Sequence, residues 1–129
     1  MREILFRAKR EATNEWVYGY FVNEYDDFQI YVQPQIITRS GREYVNENTL
    51  GQFTGLTDKN GMKIFEGDIV RYGDTIHKVV FEQRNGTAYF GLIYSPIETL
   101  PFGHYQDLRQ LEVIGNIYEN PELIGGAGK

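Results

Sequence analysis

Two histidines are the side chains of this sequence best suited to proton transfer near neutral pH. His77 lies in a run typical of a strand, and His104 lies among aromatic residues; Asp107 or Glu98 could serve either of them as a carboxylate partner. Catalysis would also need a nucleophile and an orienting group, and no such set is visible in the sequence. Two histidines without cysteine do not complete a structural zinc site. We therefore expect no enzyme, no metal site and no cofactor.

Two short motifs resemble ligand-binding loops but lack residues that such loops need. Residues 58–61 resemble the middle of a calcium loop, but Leu56 and Gly67 would then stand at its first and last ligand positions. Residues 125–129 resemble the end of a phosphate-binding loop but lack its first glycine and its final Ser or Thr. A tight turn is the better interpretation of the first motif, and a flexible tail that of the second.

Charge and composition disfavour several classes of function. The formal net charge is −5, which opposes general binding to the phosphate backbone of nucleic acids. Aromatic residues make up 15% of the chain and could form a platform for single-stranded nucleic acid, but Lys and Arg are sparse near them. Packing in a core is therefore the favoured role for the aromatic residues. No apolar run approaches the ~20 residues of a membrane span, so we expect a cytoplasmic protein without a membrane partner.

Alternating apolar residues and runs of β-branched and aromatic residues predict strands throughout the chain. The predicted strands are residues 2–9, 16–22, 28–32, 36–38, 63–65, 69–72, 75–82, 87–94 and 111–118. No long helical pattern is present, although Asn120 and Pro121 favour one helical turn. Residues 95–108 lack periodicity and are expected to form a loop without secondary structure. The sequence thus predicts an all-β fold.

Asn85 and Gly86 are the strongest hairpin signal and predict a strand register. Counting outwards from a two-residue turn pairs Phe81 with Phe90, Val79 with Leu92, and His77 with Tyr94. These residues share one face of the hairpin, and we expect this face to be in the core. A shift of the register by one residue would turn the apolar residues of one strand outwards, which supports the predicted register.

Two glycines are expected at positions that do not accept a Cβ atom. Gly61 ends a turn signal, and Gly67 stands between two acids in a strand-like run. Each should have a positive φ or a close neighbour, so that alanine would destabilise the fold.

Four separated motifs resemble the YopX family of bacteriophage and prophage proteins. They lie at residues 2–8, 49–61, 64–70 and 112–123, in the same order as in the family. The resemblance implies a phage- or prophage-encoded protein inside a bacterium, and a C-terminal part like an SH3-type barrel. It implies no reaction and no catalytic residues.

The combined prediction is an all-β protein with an N-terminal β-strand region plus a small SH3-like β-barrel. Residues 1–53 would form the first region, residues 54–119 the barrel, and residues 120–129 a short turn and tail. The favoured function is a non-enzymatic module that binds a host or phage protein, and a homo-oligomer is possible. The alternatives are a nucleic-acid-associated protein or acidic DNA mimic, and a small-ligand enzyme that uses His77 or His104.

The segment 95–108 is the predicted partner-binding loop. Phe102, His104 and Tyr105 would be its contact residues, because aromatic groups on a loop shaped by prolines are typical anchors for partners. The alternative, which we favour, is that Phe102 and Tyr105 fold back and plug one end of the barrel.

Overall fold

The computed structural model describes residues 3–25, 27–28, 31–84, 86–95, 98–102 and 108–124. This part of the chain is almost entirely antiparallel β-structure, with two short 3₁₀ turns at Leu108–Gln110 and Pro121–Ile124. The ten strands are β1 (Phe6–Arg10), β2 (Trp16–Tyr25), β3 (Tyr31–Thr38), β4 (Gly41–Thr57), β5 (Lys63–Phe65), β6 (Asp68–Tyr72), β7 (Thr75–Arg84), β8 (Thr87–Ser95), β9 (Glu98–Pro101) and β10 (Leu111–Asn116). The predicted all-β fold is confirmed.

The chain divides into two compact units, Met1–Phe53 (unit 1) and Thr54–Lys129 (unit 2). In unit 1, strands β1, β2, β3 and β4 pair in this order, and β1 also pairs with β4. The β1–β4 pairing thus joins the first and the last of these four strands. The core within them is small and fully apolar, and it consists of Ala8, Val17, Ile36 and Val45.

Two strands predicted separately, residues 28–32 and 36–38, form the single strand β3. Phe28 lies in the preceding turn and is 83% exposed, so its predicted place in a strand is wrong. Pro34 lies between the two predicted strands and has no N–H group to donate to a strand ladder. The β3–β4 register begins only at Gln35, so Pro34 stands outside that ladder while it pairs with Asn23 of β2.

Strand β4 has no counterpart in the sequence prediction. Its polar, Asn- and Gly-rich residues have low strand propensity. Pairing overrides that propensity, since β4 forms ladders with β3 and with β1. Tertiary context therefore decides the conformation of this segment.

In unit 2, a sheet has the strand order β10-β6-β7-β8-β9. Its core cluster consists of Ile64, Val70, Val79, Leu92 and Leu111. The successive hairpins from β6 to β9 are compatible with an SH3-like barrel, which stays a prediction.

The predicted register of the β7–β8 hairpin is confirmed at the Phe81–Phe90 and Val79–Leu92 pairs. Val79 and Leu92 are buried, and the rings of Phe81 and Phe90 meet edge to face at 4.9 Å. The expectation that Phe81 belongs to the core is wrong, because it is 42% exposed. It lies beyond the ladder with β6, which ends at Lys78, so neighbouring strands do not cover it.

The segment 95–108 has secondary structure, contrary to the prediction. Its residues Glu98–Pro101 form β9, which pairs with β8 as the last strand of its sheet. Pro101 is tolerated there because an outer strand has one side without a ladder. A Cβ atom on Gly91 would lie 2.4 Å from the Leu100 carbonyl oxygen, so glycine permits the close approach of the two strands.

Candidate functional site

The carboxylate of Asp58 organises the turn that the sequence predicted at residues 58–61. Its Oδ1 accepts hydrogen bonds from the backbone N–H groups of Asn60 (2.8 Å) and Met62 (2.9 Å). Its Oδ2 accepts one from the N–H group of Val113 in β10, at 2.9 Å. The carboxylate is buried, and backbone donors occupy both oxygens. This motif therefore connects the turn to β10 and has a structural role.

A second structural connection surrounds Gly67. The carboxylate of Asp68 is almost fully buried and accepts a hydrogen bond from the N–H group of Phe65 at 2.7 Å. The backbone of Gly67 bonds to Val79 and Ile117. Its φ is 90° and that of Gly61 is 80°, so both predicted positive φ angles are confirmed.

Asn116 and Asn120 hold the end of β10. The side-chain oxygen of Asn116 accepts hydrogen bonds from the N–H groups of Tyr118 and Glu119. Asn120 accepts one from the Asn116 N–H group, immediately before the predicted helical turn, which is present as a 3₁₀ turn. The strand predicted at residues 111–118 ends at Asn116, because the side chains of Asn116 and Asn120 then accept the backbone hydrogen bonds in place of a neighbouring strand.

His77 is buried, and each of its two ring nitrogens has a polar neighbour. Its Nδ1 lies 3.1 Å from the Ile93 carbonyl oxygen, and its Nε2 lies 2.8 Å from Thr75 Oγ1. The ring lies 4.2 Å from that of Tyr94, centroid to centroid, which agrees with the predicted face. A role as general base would require one of these ring contacts to break.

The predicted partner-binding loop is described only in part. Phe102 is half-buried and packs against the core cluster of unit 2, and its N–H group donates to the Phe90 carbonyl oxygen at 3.4 Å. His104, Tyr105 and the suggested partner Asp107 lie outside the described residues. Glu98, the other suggested partner, is exposed at the start of β9.

The described residues contain neither a cluster of metal ligands nor a helix that could span a membrane. No group of three or more His, Asp or Glu side chains there is placed to hold a metal ion. No helix in the same residues has the length and apolar character needed to cross a membrane.

Unit 1 presents a surface that the sequence prediction missed, which we call the outer face. Its residues are those that the strand register places on the side opposite the core cluster: Arg7, Lys9, Trp16, Tyr18, Tyr20, Val22, Glu24, Gln33, Gln35, Ile37, Arg42, Tyr44 and Asn46. Three of its rings are exposed, since the exposed fractions are 48% for Tyr18, 65% for Tyr20 and 56% for Tyr44. The expectation that the aromatic residues pack in a core is wrong for these three.

Basic side chains lie beside these rings, although the sequence separates them. Arg7 pairs with Tyr18 across β1 and β2, and Lys9 pairs with Trp16. The Arg7 guanidinium carbon lies 4.5 Å from the Trp16 ring centroid and the Lys9 Nζ lies 5.4 Å from it, both within cation–π range. Arg42 is exposed, and its Nη1 lies 3.4 Å from the Gln35 amide oxygen. The outer face also includes the acidic residue Glu24, which pairs with Gln33, and the Gln33 side-chain amide donates to Glu11 Oε2 at 2.6 Å.

On β4, the glutamate that follows Arg42 lies on the core side. Glu43 pairs with the core residue Ile36 and binds Arg10 through a hydrogen bond of 2.6 Å. This bond raises the pKa of Arg10 above its ordinary value. The register thus separates the acidic and basic residues of β4, because Arg42 and Glu43 are adjacent in sequence and project to opposite sides.

Comparisons with known proteins identify a family and a solved structure to which the chain is similar. The chain is similar to the crystal structure of protein EF1440 from Enterococcus faecalis, with a TM-score of 0.56 and 24% identity over 96% of this chain and 99% of that one. At this identity the likeness supports the fold alone. No curated protein matches the sequence. The family model described as YopX protein matches residues 5–125, and the chain therefore belongs to the YopX family.

Proposed function

We propose that this protein is a non-enzymatic binding module, encoded by a phage or prophage, that contacts its partner through the outer face of unit 1. The observation that carries the proposal is the exposure of Tyr18, Tyr20 and Tyr44 on one side of a paired sheet. Aromatic rings bury the largest apolar areas of any side chains, and leaving several of them in water is unfavourable. Grouped exposed apolar residues with a polar surround are typical of interaction sites.

The composition of the outer face supports the same role. Trp, Tyr and Arg are the residue types most enriched among the contacts that dominate binding free energy. Rigid strands hold all of these side chains, which lowers the entropic cost of binding.

The hydrogen bonds of four polar residues support binding over catalysis. Asp58, Asp68 and Asn116 use their side-chain oxygens to accept backbone hydrogen bonds, and His77 contacts Thr75 and Ile93. Each of these polar groups therefore has a structural role, and this role explains its presence in the sequence.

Two partner classes fit a binding module in the cytoplasm of a bacterial host. A host or phage protein is favoured by the net charge of −5, which repels an anionic ligand. A nucleic acid is the alternative, because the outer face combines exposed rings with basic residues.

The proposal is tested with a variant in which Tyr18, Tyr20 and Tyr44 are all replaced by Ala. The full-length wild type and variant are immobilised and exposed to host lysate, and the retained protein and nucleic acid are quantified. We expect the variant to keep its melting temperature within a few degrees, since exposed substitutions change stability little, and to lose the specific partner. Phe28→Ala is the matched control, because it removes an exposed ring of unit 1 that lies outside the outer face. Equal capture by wild type and triple variant would overturn the proposal.

A further inference from the structure

We infer that unit 2 has a binding site of its own, a cavity that takes the phosphate group of a small molecule. The cavity has a volume of about 400 Å³, within the roughly 300–1,000 Å³ that is typical of ligand pockets. Its described lining residues come from three segments of unit 2: Lys59, Arg71, Gly73, Arg109, Gln110 and Glu112. The inference is independent of the proposed function, because none of these residues belongs to the outer face of unit 1.

Three basic residues line this cavity although they lie far apart in the sequence. Lys59 follows β4, Arg71 belongs to β6, and Arg109 belongs to the 3₁₀ turn before β10. Backbone contacts bring these segments together, because the Lys59 N–H group donates to the Leu111 carbonyl oxygen at 2.9 Å and Arg71 pairs with Glu112 across β6 and β10. The side chains of Lys59 and Arg71 are 46% and 49% exposed, so a ligand can reach both from solvent.

Glu112 is the carboxylate among the described lining residues. Its Oε1 accepts a hydrogen bond from Arg71 Nη2 at 2.7 Å and lies 3.8 Å from Lys59 Nζ. A guanidinium has five N–H donors and an ammonium has three, so this one oxygen leaves donors of both groups for a ligand. The described lining thus carries three positive charges and one negative charge, and Glu112 positions Arg71 beside Lys59.

Two further carboxylates lie close to the cavity without being among its described lining residues. Asp58 is buried, and both of its oxygens accept backbone hydrogen bonds. The hydrogen bond from Arg71 lowers the pKa of Glu112 even though the charge of Asp58 acts to raise it, so the cations dominate around Glu112. Asp74 follows Gly73 and is exposed, where water and salt screen its charge.

The arrangement of the basic residues favours phosphate over a carboxylate ligand. A phosphate ester presents three strong acceptor oxygens, which can accept from donors on three separate segments. A carboxylate has two oxygens in one plane, so it suits a single arginine better than three cations. Gly73 adds space, because a Cβ atom there would have no neighbour within 4 Å. The cavity can therefore hold the organic part of a small phosphate ester as well as the phosphate group.

The test is a heteronuclear NMR titration of the full chain with sodium phosphate at neutral pH, with sodium chloride used to keep the ionic strength constant. We expect the backbone signals of Lys59, Gly73 and Gln110 to shift along a saturable curve, while the signals of Tyr18 and Tyr20 stay in place. Glycerol phosphate and sodium acetate are titrated in parallel, and acetate should not give a saturable shift.

Lys59→Gln, Arg71→Gln and Arg109→Gln should each weaken phosphate binding about tenfold, because each removes a charged hydrogen-bond donor. Lys63→Gln is the matched control, since it removes the same charge from an exposed position of unit 2 that is not among the lining residues. It should bind phosphate as the wild type does. Unchanged NMR signals elsewhere in the chain would show that each variant is folded.

The outcomes distinguish the source of the phosphate and can overturn the inference. Tighter binding of glycerol phosphate than of inorganic phosphate would assign a phosphate ester, and the opposite order would assign the free ion. Shifts that never saturate, acetate binding as tight as that of phosphate, or equal weakening by Lys63→Gln would each overturn the phosphate site. The variant with Tyr18, Tyr20 and Tyr44 replaced by Ala should bind phosphate normally, so this inference and the proposed function fail separately.

Discussion

At the scale of single residues, local chemistry explains why the turns could be predicted. A turn is specified by adjacent residues, and Asp58 and Gly61 provide a side-chain acceptor and a positive φ within one short segment. The third contact of Asp58, with Val113, could not be predicted because it joins residues far apart in the chain. The exposed state of Tyr18 was missed for the same reason, since exposure depends on which strands cover a position.

Gly67→Ala should destabilise the protein more than Gly61→Ala. Both glycines have a φ of 80–90°, a conformation that costs an L-residue roughly 1–2 kcal/mol. A Cβ atom on Gly61 would meet open space, whereas one on Gly67 would lie 3.1 Å from the Tyr118 ring. We therefore expect about 1–2 kcal/mol for Gly61→Ala and more for Gly67→Ala, measured by urea unfolding. Equal or stabilising effects would contradict this account.

The ion pair of Glu112 should contribute to stability at neutral pH and not in acid. Arg71 Nη2 donates to Glu112 Oε1 at 2.7 Å, and this hydrogen bond lowers the pKa of Glu112. A carboxyl whose pKa is lower when folded stabilises the fold above its unfolded-state pKa of about 4.3. That contribution is lost as the pH falls through the lower folded-state pKa.

Glu112→Gln should consequently lower the melting temperature slightly at pH 7, and the difference from wild type should shrink as the pH falls below the unfolded-state pKa of about 4.3. The effect is small because both side chains are partly exposed, with 49% exposure for Arg71 and 27% for Glu112. Glu122→Gln, at an exposed site in the last 3₁₀ turn, serves as the control. A difference that persists in acid would show that the glutamate acts through packing and not through its charge.

At the scale of elements, the predicted strands are those that the residues within them or in the adjacent turn indicate. The strands that were missed are those whose conformation depends on pairing with other strands. The register of the β7–β8 hairpin was predicted because the sequence Asn85-Gly86 signals a turn and the alternating apolar residues on either side indicate one face. Strands β4 and β9 are rich in polar residues or bounded by proline, so their conformation follows from the strands that they join. The outer face could not be predicted for the same reason, because its residues come from four strands and are brought together only by strand pairing.

Phe102→Ala should lower the melting temperature by several degrees. The side chain follows β9, is half-buried and packs against the core cluster of unit 2, so its removal leaves a partly filled cavity. The magnitude should be about 2 kcal/mol, less than for a fully buried phenylalanine. Phe28→Ala, at an 83% exposed site, is the control and should change stability little. An unchanged melting temperature with lost partner capture would instead assign Phe102 to the partner-binding loop.

At the scale of the whole molecule, net charge and the outer face act in opposite directions on self-association. The sequence isoelectric point is about 5.0, so at neutral pH the charge of −5 keeps copies of the protein apart. The three exposed tyrosines favour contact between copies, because association removes their rings from water. Repulsion dominates while the charge is large, and its long-range part weakens as added salt shortens the screening length.

The protein should therefore self-associate near pH 5, where the net charge approaches zero, and should do so through the outer face. Light scattering coupled to size-exclusion chromatography, at pH 7.5 and near pH 5, would measure the change in mass. The variant with Tyr18, Tyr20 and Tyr44 replaced by Ala has the same isoelectric point, because tyrosine is uncharged in this range. It should remain of lower mass near pH 5, whereas Phe28→Ala should associate as the wild type does. If the triple variant associates equally well, attraction at zero net charge comes from surfaces other than the outer face, and its exposed rings do not govern contacts between copies.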